Sequence, residues 1–187
     1  IAAGEANGLN MKAAQAGLGG AVFQMFNHGT ISAMLFILVG VVYERAHHRE
    51  IEGFGGLASQ MPIYTGITAL AFFAGLGLPG LSGFISEAMC FIGAFPVFKA
   101  IVIASTIGIL LNAAYFLWAF QRIFFGELNE KYKDMSDINN LELFTVVPLL
   151  IITIFFGIYP APYLDLISAS LDGIINHVVS LATYVGM

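Results

Sequence analysis

The sequence predicts an all-α, polytopic transmembrane helix bundle of about four crossings, one of them discontinuous, with a C-terminal amphipathic helix. Three observations carry that expectation. Of 187 residues, 58% are hydrophobic and only 10% are charged, against about 25% charged in soluble domains. The charges are also clustered, so that between Gly53 and Gln121 only Glu87 and Lys99 carry one. The apolar runs left between them reach the roughly 20 residues that a membrane-crossing helix needs. A water-soluble core of this size has too little polar surface to cover so much apolar side chain, whereas a bilayer lets that surface face lipid.

The elements follow in order within a single membrane domain, 1–187. Ala13 to Tyr43 is free of charge and supplies a first span over residues 17–43, and the run Glu44 to Glu50 marks its exit to water. A second apolar stretch covers 62–98 and is interrupted at 79–83, where Pro79, Gly80 and Gly83 predict a helix break. A third span covers 100–125, and a loop with six charges follows from Gly126 to Asn140. A fourth covers 143–159, stopped by Pro160 and Pro162. Over 163–185, Leu164, Ile167, Leu171, Ile174, Val178, Leu181 and Val185 recur every three or four residues, with polar residues between them. This is an amphipathic helix lying along a membrane surface or packed on neighbouring helices. The chain begins at Ile1, and its Gly- and Ala-rich start lacks the basic and apolar regions of a signal peptide. It reads as part of something longer.

The second stretch could be one broken crossing or two crossings joined by a tight turn. A single broken crossing puts Arg45, Arg49, Arg122, Lys131 and Lys133 on one side and Lys12 and Lys99 on the other. Two crossings would leave no bias. Cytoplasmic loops carry an excess of Lys and Arg, so the single broken crossing is favoured, with the loops after residues 43 and 125 cytoplasmic.

Glu87 is the first candidate for chemistry. It follows the break within an apolar run. A carboxyl in hydrocarbon costs several kcal/mol, roughly, unless it is paired, neutral or beside a wet cavity. Burial favours the protonated form of a carboxyl and a nearby cation the ionised form, so a group held between them can load and release a proton. A broken helix adds free backbone groups and room for water, tolerated only where it is buried in protein or lines a cavity. The alternative is a Glu that merely bonds to a neighbouring helix. His28, near the middle of the first span, is the second candidate. Gln24, His28 and Ser32 recur every four residues on one face. That stripe could hold a water chain with the imidazole as relay, or could simply bond between helices. Lys99 lines the path or snorkels to an interface. Ser105, Asn112 and Tyr115 give the third span a modest polar face. His47 and His48 read as a surface cluster.

Other classes are disfavoured. A net charge of −5 argues against a nucleic-acid partner. Cys90 is the only cysteine, which leaves no internal disulfide and no cysteine metal cluster. There is no phosphate-binding glycine loop and no metal-ligand spacing, so no cofactor or metal is expected in this chain.

Several runs resemble a known family. Phe23-Gln24-Met25-Phe26-Asn27-His28-Gly29, Leu35 to Gly40 and Tyr43-Glu44-Arg45 are similar to the histidine-bearing helix of the antiporter-like, proton-translocating membrane subunits of respiratory complex I, NADH:quinone oxidoreductase. Gly75 to Glu87, with Leu78-Pro79-Gly80-Leu81-Ser82-Gly83 at its centre, resembles their broken helix with its terminal glutamate. Gly55-Gly56-Leu57 lies between the blocks as expected, and the likeness continues through Tyr115 to Gly126 and Gly157 to Pro160. A Glu at position 87, where chain L usually has Lys, points to the C-terminal part of chain M (chain 4). Subunits of cation/proton antiporters and membrane-bound hydrogenases share much of the pattern.

The resemblance implies a proton path through two inverted bundles. A glutamate–lysine pair in the first bundle and a linking lysine fall outside this chain, which would supply His28 on the central polar axis and Glu87 near the second half-channel. It implies a subunit of a translocase, with NADH, flavin, iron–sulfur clusters and quinone bound by other subunits. The implied partners are neighbouring antiporter-like subunits and the lipid bilayer of a bacterial inner membrane or equivalent energy-transducing membrane. A passive membrane scaffold is the rival of a different class.

Overall fold

The computed structural model describes residues 11–185, and the Gly- and Ala-rich start at residues 1–10 lies outside them, as do the side chains of Ala182, Thr183 and Val185. Among the described residues the fold is all-helical: α1 (Met11–Ala46), α2 (Pro62–Gly75), α3 (Ser82–Phe124), α4 (Asn140–Ile158) and α5 (Ala161–Val185), with short 3-10 turns in the loops. By length and composition α1, α3, α4 and residues Ala161–Leu181 of α5 can each cross a membrane, and α2 is a shorter apolar helix.

α1 is the axis on which the rest is registered. The Tyr64 hydroxyl of α2 donates to the Leu38 carbonyl, and Ala74, at the other end of α2, joins Ile31 in a small apolar cluster. The start of α3 takes over one turn further along, where Asn27 donates to the Ser82 carbonyl. α2 and the first part of α3 therefore run one after the other along α1 in the opposite direction. Together they form one discontinuous rod antiparallel to α1.

The break has a specific construction. The Gly77 amide bonds to the Ala74 carbonyl and the Leu78 amide to the Phe73 carbonyl, with Gly77 at φ 79°. That is a Schellman cap, which needs a left-handed residue at its first non-helical position, and Pro79 then prevents the helix from resuming. Gly83 is not part of the break: it sits in the first turn of α3, where a Cβ would come within 2.7 Å of the Ala74 carbonyl. Gly157 of α4 covers the break, its backbone lying directly on Gly80 and Leu81.

The sequence separates its second and third spans at Lys99, and the helical run Ser82–Phe124 turns at that point, with non-helical dihedrals at Phe98 (φ −120°, ψ 45°). Pro96 accounts for the bend, because its ring excludes the hydrogen bond to the preceding turn. The bend is a reversal. Glu87 and Asn112 line a common cavity, although a straight helix would hold them about 37 Å apart. Residues 99–124 return along α2, with Phe116 and Phe120 against Phe72 at ring centroid distances of 5.1 and 5.7 Å, and Phe124 against Tyr64.

The loops after α1 and α3 close over the same end of the bundle. Arg45 forks onto both Glu142 oxygens at 2.8 Å and donates to the Ser136 and Asp137 carbonyls. Asn139 and Glu142 form a capping box on α4. The Asp137 carboxylate accepts from the amides of Ile63 and Tyr64, capping α2 from 73 and 74 residues away. His48 stacks on Phe54 and hydrogen-bonds to the Tyr132 hydroxyl, so it ties the two loops together.

α4 and α5 follow each other along α1. Phe156 and Tyr163 pack on Phe23 and Phe26, and Gln15 donates to Asp172 at 2.7 Å. Against expectation, the covered seam of α5 passes through Leu171 and Ile175, while Ile174 is 53% exposed. Eleven residues make about three helical turns, so Leu164 and Ile175 share a face that Ile174 leaves.

Candidate functional site

The helix break brings together side chains from three parts of the chain. A cavity of about 290 Å³ is lined by Gln24, His28 and Ser32 of α1, by Glu87 just past the break, and by Asn112 and Tyr115 of the returning half of α3. Four predicted residues, Gln24, His28, Ser32 and Glu87, thus meet in one place. Lys99 does not, since it is exposed near the hairpin turn at Phe98. Twelve residues of helix put it about 18 Å along the chain from Glu87.

Glu87 is half-buried. Its carboxylate lies against the break: a Cβ on Gly77 would come within 2.6 Å of the Glu87 Oε2. Among the described residues it has no hydrogen bond and no ion pair, and the Arg45–Glu142 pair is the one ion pair they contain. His28 also makes no hydrogen bond among them, and its ring is exposed on the surface of this chain. An unpaired carboxyl and an unpaired imidazole thus face one cavity.

Asn27, Ser86 and Gln24 are, by contrast, bonded to one another, with Asn27 Oδ1 left buried without a partner among the described residues. Asn27 is fully buried and donates at 2.9 Å to both the Ser82 carbonyl and the Ser86 hydroxyl. Ser86 donates to Gln24 Oε1. This network pins the first turn of α3 to α1 and fixes the direction in which Glu87 points, one residue beyond Ser86. On the other side Asn112 donates to the Gly75 carbonyl at 2.9 Å. Sequence reasoning underrated Asn27, Ser86 and Gly77. The signal available was their position: Ser86 is one residue from the buried acid, and Gly77 precedes the Pro-Gly pair by two. A second cavity of about 390 Å³ adjoins Glu87 on the side of Ser105 and Gly108.

Comparison with known proteins gives the family and the fold. Residues 8–112 match the family described as NADH:quinone oxidoreductase/Mrp antiporter, TM. The chain is 42% identical over 164 residues to NADH-quinone oxidoreductase subunit M of Rhodobacter capsulatus, an alignment covering 87% of this chain and 32% of that protein. It is 38% identical over 168 residues to F(420)H(2) dehydrogenase subunit M of Methanosarcina mazei, covering 90% and 33%. Its fold matches a chain of respiratory complex I from Thermus thermophilus with a TM-score of 0.81 at 26% identity, over 89% of this chain and 35% of that one. A chain of the Mrp complex from a Dietzia species shares the fold with a TM-score of 0.74 at 18% identity, over 88% and 40%. The chain spans about a third of the length of the curated relatives it matches.

Proposed function

Because this integral membrane chain belongs to the NADH:quinone oxidoreductase/Mrp antiporter transmembrane family, we propose that it carries part of the proton path of a complex I-type translocase, with Glu87 as the group that loads and releases the proton. The observation that carries this reading is the shared cavity: Glu87, unpaired and just past a helix break, faces the Gln24–His28–Ser32 stripe. In this scheme His28 exchanges protons with the cavity through its two ring nitrogens, and Glu87 alternates between neutral and ionised forms as neighbouring charges change. Electron transfer takes place in other subunits, which hold NADH, flavin, iron–sulfur clusters and quinone. Conformational or electrostatic change along the membrane arm drives the proton step here. Neighbouring antiporter-like subunits cover the exposed apolar faces in an energy-transducing membrane, with the loops after α1 and α3 on its cytoplasmic side.

The test is proton pumping coupled to quinone reduction in the assembled full-length complex carrying Glu87→Gln. Loss of pumping with normal assembly is expected. Normal pumping would return Glu87 to a packing role and favour a passive scaffold. Sodium-dependent transport by the intact protein would instead select the antiporter branch of the family.

A further inference from the structure

Glu87, Asn112 and Tyr115 are the residues common to the two cavities on either side of the buried acid. They form the partition between the His28 side and the Ser105 side. Two of the three are tied to each other and to the break. The Tyr115 hydroxyl donates to Asn112 Oδ1, and Asn112 Nδ2 donates to the carbonyl of Gly75, the last residue of α2. The same turn, two residues on at Gly77, abuts the Glu87 carboxylate. Asn112 thus holds one end of the Schellman cap, and the Glu87 carboxylate lies against the other.

We propose that Asn112 and Tyr115 are positioning residues for Glu87, forming a latch that couples the end of α2 to the access of water to the carboxyl. While Asn112 holds the Gly75 carbonyl, its Oδ1 faces Tyr115 and occupies the hydroxyl proton, so that the hydroxyl is not offered to Glu87. A shift of the α2 end withdraws the Gly75 carbonyl. Asn112 then turns, Tyr115 rotates free, and its hydroxyl donates to the Glu87 carboxylate while the partition opens. Neither residue takes up a net proton; they change only which hydrogen bonds and which cavity the carboxyl meets. An Asn amide suits this role because it donates and accepts at once and so can transmit an anchor point.

The inference rests on the proton-path reading, and the experiment separates the two. Tyr115→Phe, Asn112→Leu and the double variant are made in the full-length complex beside Glu87→Gln. Assembly, protons pumped per electron and the pH profile of pumping are measured in the same preparations. Tyr115→Phe keeps the ring, which packs on Phe116 at 5.0 Å, and removes only the hydroxyl. Each single variant is expected to assemble, to slow proton pumping by roughly fivefold, the equivalent of one hydrogen bond, to lower the proton-to-electron ratio, and to displace the pH profile. Because the two act as a unit, the double variant is expected to be no worse than the worse single. A normal ratio and profile in Tyr115→Phe, with pumping lost in Glu87→Gln, overturns the latch and leaves the proton path standing. Losses that multiply in the double variant also overturn it. Normal pumping in Glu87→Gln removes the premise, and the latch falls with it.

Discussion

At the N-terminal end of α2 the Asp137 carboxylate caps two backbone amides beside the bidentate Arg45–Glu142 pair, whereas at its C-terminal end Glu87 lies against Gly77 with neither cap nor counter-ion among the described residues. The two ends belong to one 14-residue helix. The difference lies in what each charge is held by. At the loop end each carboxylate satisfies donors that would otherwise be orphaned, and it gains from the positive end of a helix dipole. At the break the last carbonyls of α2 are satisfied by the Schellman turn and by Asn112, so none of them calls on the carboxyl. The carboxylates at the loop end are held by donors, whereas the Glu87 carboxylate is held by none among the described residues.

The largest expected effect tests the unpaired end. Glu87→Gln keeps size and shape, so the complex assembles and unfolds at an unchanged temperature while pumping is lost. Arg45→Ala should do the reverse. Its partner Glu142 has a side chain only 14% exposed, so removing the guanidinium is expected to cost about 2–3 kcal/mol, between the cost for an exposed pair and that for a fully buried one. The readout is a lower unfolding midpoint in detergent and less assembled complex, with pumping per assembled complex retained. A double-mutant cycle with Glu142→Ala isolates the pair. Gly77→Ala sits between the two regimes. It forces a side chain into a left-handed backbone and towards the Glu87 carboxylate, at about 1–2 kcal/mol. It is expected to lower both the unfolding midpoint and the pumping ratio, and an unaffected ratio would mean that Glu87 does not depend on the turn. The smallest effect belongs to Asp137→Ala. Loss of that cap is worth about 1 kcal/mol and should appear as faster hydrogen exchange at Ile63 and Tyr64, with pumping unchanged.

The legible part of the fold was what depends on local sequence. Charge-free runs mark α1 and α4, and the Leu78-Pro79-Gly80 run marks the break, because helix continuation fails there for any neighbour. The direction of the crossing after the break was legible only through the distribution of Lys and Arg, since both topologies satisfy hydrophobicity. What depended on long-range contact was hidden. Asp137 looks like any loop acid until α2 is seen beneath it. Asn112 and Tyr115 read as a modest polar face until the reversal at Phe98 brings them beside Glu87. In the same way His28 and Glu87 were each visible as anomalies in apolar runs, but their common cavity depends on the register of α3 on α1, which Asn27 and Ser86 set.

The cap on α2 also has a consequence for biogenesis. Its acceptor lies 74 residues downstream of Ile63. At typical synthesis rates of about 5–20 residues per second, that segment emerges roughly 4–15 s after the helix it completes. For that interval the first turn of α2 is an open end with bare amides at the membrane surface. The first turn of α2 therefore depends on a contact that arrives only after the helix itself has been made.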